Sequence, residues 1–235
     1  MRKILAPQNN LLVLRIIDMR NPKFYTKEML KIVLPKYCSG KTVDVGSGHA
    51  KYKDLIRNYC KKYVSVDNIS SEYQFESNEN FRPDVISDVL NMPFKSDEFD
   101  TAICTEVLEH VETPLLLFKE VSRILKRGGY LILSSGWVAP YHKEPKDYWR
   151  FSHDAYKLLC KDSGFELIEI HKKGGIFSLL FYFWNRNIDL NTKILRKIKN
   201  SLGLINNLMA LAFEKLDNIF NTEDTIGHLI VAKKL

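Results

Sequence analysis

Short apolar runs alternate with helix-like segments along most of this chain, and no other feature narrows its fold as much. The runs "KTVDVG" (41–46), "KYVSVD" (62–67), "DVIS" (84–87), "FDTAICT" (99–105) and "GGYLILSS" (128–135) read as strands 1 to 5. "FELIEIH" (165–171) and "GHLIVAKK" (227–234) read as strands 6 and 7. The intervening pattern predicts helices from Ala50 to Cys60, from Pro114 to Lys126, and from Ser152 to near Gly164. Thr113 is placed as an N-cap with Pro114 in the first helical position, where a missing N–H costs nothing. Ser152 is the matching cap of the next helix. A further helix over 24–36 is expected to end at Pro35 and the "CSG" turn. Short apolar strands separated by helices imply a mostly parallel sheet covered on both faces.

The rhythm breaks once, over residues 174–225. Ile194, Ile198, Leu202, Ile205, Met209, Ala212 and Leu216 recur there at helical spacing, with Gly203 as the place for a bend. The chain thus divides into an N-terminal helical segment (1–39), a core sheet (40–172 and 226–235) and a helical insertion (174–225), all in one domain. The insertion opens with "IFSLLFYFWN", followed by Arg186, Lys193, Arg196, Lys197 and Lys199 against the single acid Asp189. Aromatic and aliphatic residues beside basic ones suit an interfacial segment, so 176–199 is a candidate peripheral membrane contact. Packing as a lid or a dimer surface is the alternative, and oligomeric state is left open.

No run reaches the roughly 18–20 apolar residues that span a bilayer. The N-terminal apolar patch is broken by Arg15 and no cleavage pattern follows, so no signal peptide is read. Cys38, Cys60, Cys104 and Cys160 form no CxxC pair, and no metal ligand set is expected. These features imply a cytoplasmic protein. A net charge of +7 suits an anionic partner, and equally a lysine-rich surface.

The stretch "TVDVGSGHAKY" (42–52) carries the clearest binding signal. An apolar strand ends in Asp44, then Gly46 and Gly48 let a ligand approach the backbone. A dinucleotide fingerprint needs a third glycine, and Lys51 stands in its place. Asp67 ends strand 2, roughly twenty residues on, where an acid accepts hydrogen bonds from ribose hydroxyls. That suits a nicotinamide dinucleotide and S-adenosylmethionine alike. Asp88, after strand 3, could accept from an adenine amine or could cap a turn. Asp44 stands where a charged amine could meet it, and only the methionine part of S-adenosylmethionine brings one.

"TVDVGSGHAKY", "SVDNIS", "SDVLNMPFKSDEFDTAICTEVLEHVETP" and "LFKEVSRILKRGGYLILSS" together resemble the class I S-adenosylmethionine-dependent methyltransferases, in particular the small-molecule subgroup with an "EHV … RVLKPGG" signature. The resemblance covers about residues 40–136. It implies a Rossmann-like α/β fold with a seven-stranded sheet, order 3-2-1-4-5-7-6, strand 7 antiparallel. It implies that Asp44, Gly46, Ser47 and Gly48 hold the methionine moiety, Asp67 with Asn68 the ribose, and Asp88 with the Val89 backbone the adenine. Glu106, Val107 and Leu108 should line the floor near the sulfonium, and His110 should orient the strand 4 loop. Ala50 departs from the family, many members of which carry glycine there.

The methyl group arrives activated, so the protein's task is to align a nucleophile and exclude water. A base is needed when the acceptor is a hydroxyl. "SGWVAPYHKEPKDYWRFS" (135–152) follows strand 5 and combines Trp137, Tyr141, Tyr148, Trp149 and Phe151 with His142, Glu144 and Asp147. His142 and Asp147 are the candidate catalytic residues, with Arg150 as a salt-bridge former. The "H-x-x-P-x-D-Y-W-R-F-S" run resembles a segment of bacterial methyltransferases of glycan biosynthesis. The expected activity is therefore methylation of O or N on a small molecule, a sugar or lipid-linked glycan precursor among them. An RNA methyltransferase, motivated by the charge, and a non-catalytic cofactor-binding scaffold are alternatives. Nucleic acid is the less expected partner, because "TEVLEH" replaces the Asn/Asp-Pro-Pro-aromatic motif that positions a base amine.

Overall fold

The structure, a computed structural model, describes residues 22–68, 82–142, 146–191, 203–220 and 222–235. The expected segment 1–21, Glu144, and Lys193, Ile194, Arg196, Lys197, Ile198, Lys199 and Leu202 lie outside the described residues. In chain order the elements are α1 (Pro22–Tyr37), β1 (Lys41–Val45), α2 (Lys53–Arg57), β2 (Lys62–Asp67), β3 (Val85–Ile86) and β4 (Phe99–Thr105). A 3₁₀ turn (Leu108–His110), α3 (Pro114–Ile124), β5 (Leu125–Gly136), α4 (His153–Asp162) and β6 (Phe165–Lys172) follow. The chain ends with α5 (Ile176–Asn191), α6 (Gly203–Phe220) and β7 (Gly227–Lys234).

The seven strands form one sheet in the order β3-β2-β1-β4-β5-β7-β6. β7 runs antiparallel to both β5 and β6, while β1, β2, β3, β4 and β5 pair in parallel. Side chains alternate across a strand, so each central strand feeds two cores. Ala102 and Cys104 of β4, Leu131 and Leu133 of β5, and Ile230 and Ala232 of β7 meet α3 and α4 on one face. Ile103, Ile132, Leu229 and Val231, their neighbours in sequence, meet Met29, Leu30, Val33 and Leu34 of α1 and Ile56 of α2 on the other. Burial on both faces explains why the strands read as continuous apolar runs. The chain passes outward from β1 to β2 and β3, then returns to β4, which makes the C-terminal ends of β1 and β4 the switch point where ligands bind in such sheets.

Several boundaries differ from those expected. α1 carries Pro35 within its last turn, and the Cys38 N–H still closes on the Leu34 carbonyl at 2.9 Å. α2 starts at Lys53 rather than Ala50, because Ala50 adopts φ +47° and a left-handed residue cannot lie inside a right-handed helix. α3 stops at Ile124, since Leu125 is already extended and opens a β5 longer than the apolar run suggested. Thr113 occupies the N-cap position without a side-chain cap bond, whereas Ser152 Oγ accepts from the Ala155 N–H at 3.3 Å.

The described part of the insertion packs against α1 and the chain just before β7. Leu179 and Phe181 of α5 pack with Phe24 and Tyr25 of α1 and with Ile226 before β7. α6 braces α5 through Phe213, whose ring lies 6.2 Å from Phe177 and 5.7 Å from Phe181. Asp217 of α6 then closes the start of α5. Its carboxylate accepts from the backbone N–H of Gly175 (3.0 Å), Phe177 (2.7 Å) and Ser178 (3.0 Å), three groups that a helix cannot satisfy internally. Replacing Asp217 with Ala should cost about 1–2 kcal/mol locally. Hydrogen exchange should show faster opening of amides 177–181 with unchanged protection in β4 and β5; equal protection throughout would show that the cap is dispensable.

Candidate functional site

The turn after β1 is pinned to β2. The Gly46 and Ser47 N–H groups donate to the Val66 carbonyl at 2.9 and 3.1 Å, and the Gly48 N–H donates to Asp67 Oδ2 at 2.5 Å. Gly46 is required twice over: its φ is +67°, and a Cβ there would meet Val107 Cγ2 at 2.4 Å. Gly48, at φ +52°, has nothing within 4 Å of where a Cβ would sit. Beside it, Ser47 Oγ is buried with no partner among the described residues. Open backbone next to an unused hydroxyl suits a polar ligand lying along the turn. Ala50 is buried at a left-handed φ that glycine adopts more readily.

Three acids surround this turn in different states. Asp44 is buried and accepts from the Tyr63 hydroxyl at 2.6 Å. Burial raises its pKa to about 6, with the Asp67 charge adding to the rise and the Tyr63 bond opposing it. Burial also raises Asp67, against the backbone N–H groups of Gly48 and Asn68 that favour its charge. Asn68 itself is exposed. Asp88 is exposed and caps its own turn, accepting the Leu90 N–H at 2.9 Å while its carbonyl accepts from Asn91 at 3.1 Å. Val89 packs against the core edge.

At the end of β4, Glu106 is held at φ +56°, an uncommon conformation for a residue with a side chain. Its N–H donates to the Ser134 carbonyl at 2.9 Å, and its carboxylate accepts from Thr26 of α1, Ser134 of β5 and the Lys173 ammonium after β6. Lys173 is only 1% exposed. Burial alone would raise the Glu106 pKa; Lys173, Ser134 and Thr26 outweigh it and hold the carboxyl below its usual range. Val107 fills the space that Gly46 leaves. Leu108 was expected on the site floor, but its side chain is wholly buried in the core, so only its backbone is available there. Lys173 gave no sequence signal, because a lysine after a strand is ordinarily solvated. Glu109 gave none for a similar reason, since a glutamate after a strand is ordinarily solvated as well.

The loop after β5 folds back onto the loop after β4. The Tyr148 and Trp149 N–H groups donate to the Glu109 carbonyl at 2.9 and 3.3 Å, and Trp149 Nε1 donates to the Glu112 carbonyl at 3.3 Å. His110 Nδ1 is bonded to the Lys146 carbonyl, which ties the loop after β4 to the loop after β5. Asp147 does not stand free as a base. Its side chain is 1% exposed, its oxygens engage Arg150 at 2.5 and 2.7 Å, and Oδ2 accepts the His142 N–H at 3.0 Å. The bond from Arg150 draws its pKa down to about 2, so it stays ionised and holds the loop. His142 lies beside it, with Nδ1 3.0 Å from the Pro140 carbonyl.

A mostly parallel sheet with a glycine turn and acids gathered at its switch point is the architecture of a Rossmann-like protein. Comparison with known proteins specifies which. Residues 43–133 match the "Methyltransferase domain" family. MJ1123, an uncharacterized protein of Methanocaldococcus jannaschii, is 30% identical over 152 residues, covering 63% of this chain and 68% of that one. A tRNA U34 carboxymethyltransferase of a Sulfurovum species is 29% identical over 149 residues, 56% of this chain and half of the relative. A ubiquinone biosynthesis O-methyltransferase of a Ruegeria species is 27% identical over 118 residues, 40% and 46% of the two chains. A solved geranyl diphosphate methyltransferase, in complex with GPP and sinefungin, shares the fold at TM-score 0.56 and 16% identity over 89% of this chain and 77% of that one. The chain belongs to the class I S-adenosylmethionine-dependent methyltransferase family, and S-adenosylmethionine is its cofactor.

The buried pair offers a direct test. Glu106→Gln keeps the shape but leaves the Lys173 ammonium without a counter-ion, an expected loss of about 3–5 kcal/mol in denaturant unfolding. The double variant Glu106→Gln with Lys173→Met should recover most of it. A single-variant loss below about 1 kcal/mol would show that Lys173 escapes to solvent when unpaired.

Proposed function

We propose that the enzyme transfers the methyl group to an oxygen or nitrogen of a small acceptor, with a sugar or lipid-linked glycan precursor as the preferred class. The observation that carries this reading is the aromatic, histidine-bearing loop from Trp137 to Phe151, stapled onto the β4 loop at the switch point. Tyr141, Tyr148 and Trp149 are 66%, 41% and 45% exposed on it, flat apolar surfaces of the kind that stack on a sugar ring.

In this reading Asp44, Gly46, Ser47 and Gly48 hold the amino-acid end of the cofactor, Asp67 and Asn68 its ribose, and Asp88 with Val89 its adenine. Glu106, Val107 and the Leu108 backbone form the floor. When bound, S-adenosylmethionine supplies a methyl group already activated by the sulfonium. The protein's share is to orient the acceptor, exclude water and take up a proton. In this reading His142 does the last. A carbonyl can only accept, so the Pro140 carbonyl fixes the ring proton on Nδ1 and leaves Nε2 as the acceptor. Asp147 and Arg150 are positioning residues for that imidazole.

An RNA acceptor is the second reading. One relative is named for a tRNA and another for ubiquinone, so the relatives do not support the expectation against nucleic acid, and the net charge of +7 suits a phosphate backbone. A peripheral membrane contact keeps some support. No helix among the described residues is long and apolar enough to cross a bilayer, yet Leu180 and Trp184 of α5 are 55% and 59% exposed. Incubation with methyl-labelled S-adenosylmethionine and fractionated extract separates the acceptors. Label in a small, ribonuclease-resistant product supports the first reading, and label lost to ribonuclease replaces it with the second.

The cofactor assignment carries a pH dependence. The Asp44 pKa is raised from 3.8 to about 6, so the stability linked to it is full below the unfolded value and lost as pH rises through about 6. A cationic amine binds the ionised form, so affinity for S-adenosylhomocysteine should fall as pH drops through about 6. Calorimetry on both sides of that value should show this limb in the wild type and a weaker, flatter profile in Asp44→Asn. A wild-type affinity independent of pH would remove the amine from Asp44.

A further inference from the structure

The histidine set aside as a base has two neighbours that change its meaning. One oxygen of Glu109 and one ring nitrogen each of His110 and His142 lie within 4.8 Å of one another. Glu109 and His110 are consecutive on the 3₁₀ turn after β4, and His142 comes from the loop after β5, so only the folding of one loop onto the other unites them. The two imidazoles meet edge to face, with ring centroids 5.1 Å apart at 88°.

Each of the three is prepared in the same way. His110 Nδ1 is bonded to the Lys146 carbonyl and His142 Nδ1 to the Pro140 carbonyl. Both rings therefore carry their proton on Nδ1 and keep the Nε2 lone pair free. Metal-bound histidines are characteristically held so, by a carbonyl or carboxylate on the other nitrogen. Glu109 is 1% exposed, and one of its oxygens accepts from Ser135 Oγ at 2.7 Å. Lys173 is taken by Glu106, and among the described residues Glu109 has no ion-pair partner of its own. A buried carboxylate with no direct ion pair, gathered with two imidazoles whose Nδ1 atoms are already bonded to carbonyls, has the composition of a partial coordination shell.

We propose that Glu109, His110 and His142 bind a divalent transition-metal ion. Two imidazoles and one carboxylate suit zinc, cobalt, manganese or iron rather than magnesium or calcium, which prefer all-oxygen shells. Three protein ligands leave positions open, and His142 is 29% exposed, so an acceptor oxygen can reach the ion. The ion's role rests on the reading of this loop as the acceptor end. There the metal lowers the pKa of a bound hydroxyl, and its proton leaves to solvent, so His142 acts as a ligand rather than as the base. The ion itself is not consumed.

The test is cobalt(II) titration of chelator-treated full-length protein, followed by calorimetry and visible absorption. One ion per chain is expected, with a d–d spectrum lacking the thiolate-to-metal band. His142→Ala, His110→Ala and Glu109→Gln should each weaken binding by 10-fold or more, while affinity for S-adenosylhomocysteine, measured without metal, stays within about twofold in His142→Ala. No stoichiometric binding, binding undiminished in the His110→Ala, His142→Ala double variant, or a thiolate band would overturn the site. Retained S-adenosylhomocysteine affinity in those cases would leave the methyltransferase reading intact. In its metal-bound form the wild type should also lose turnover on chelation and regain it with cobalt; turnover indifferent to the ion would reduce the site to one without a part in transfer and return the proton to His142.

Discussion

The ion pair between Glu106 and Lys173 is the contact around which the ligand edge of this protein is arranged. Two charges withdrawn from water are tolerated only where geometry and further hydrogen bonds compensate their desolvation. Here Lys173 after β6 supplies the opposite charge, the Ser134 hydroxyl on β5 and the Thr26 hydroxyl on α1 add hydrogen bonds to the carboxylate, and the Glu106 N–H is tied to the Ser134 carbonyl. Those bonds hold Glu106 in a left-handed conformation that it would otherwise leave. The conformation turns the chain sharply at the end of β4, sets Val107 against Gly46, and delivers Glu109 and His110 toward the loop after β5. Strain at one residue is thus converted into the position of several others.

The same economy of contacts governs the two loops at the edge. The loop after β4 has only the short 3₁₀ turn, and each loop satisfies backbone groups of the other. The Glu109 carbonyl receives two N–H donors, while Asp147 and Arg150 lock the second loop from within by a paired, nearly buried ion pair. The result is a platform carrying two histidines and several exposed aromatic rings. The insertion adds a wall beside it. Its inner face is consumed by Phe24, Tyr25 and Ile226, and its outer face leaves Leu180, Trp184, Leu208 and Met209 in solvent.

Much of this architecture was legible in the residues. Apolar runs gave the seven strands, since a strand buried on both faces cannot read otherwise. The two glycines of the β1 turn and the acids Asp44 and Asp67 were visible because conformational freedom and strand-end carboxylates leave local signatures. The misreadings were local competitions decided by backbone geometry. The left-handed Ala50 delays α2, and β5 begins in place of the last turn of α3. Leu108 looked like a floor residue because it follows Glu106, but the turn rotates its side chain into the core.

The sequence by itself determined the succession of strands and helices and the glycine turn, because each rests on spacing along the chain or on hydrophobic period, and the resemblance of its motifs to a known family pointed to the cofactor. Only the tertiary structure decided which charges are paired. Asp147, a base on paper, is spent on Arg150, and Lys173, a surface residue on paper, neutralises Glu106 from 67 positions away. Glu109, His110 and His142 form no spaced motif, and they meet because two loops exchange backbone hydrogen bonds. Charge pairing and ligand convergence depend on separation in space and on exclusion of water, and neither is encoded at short range.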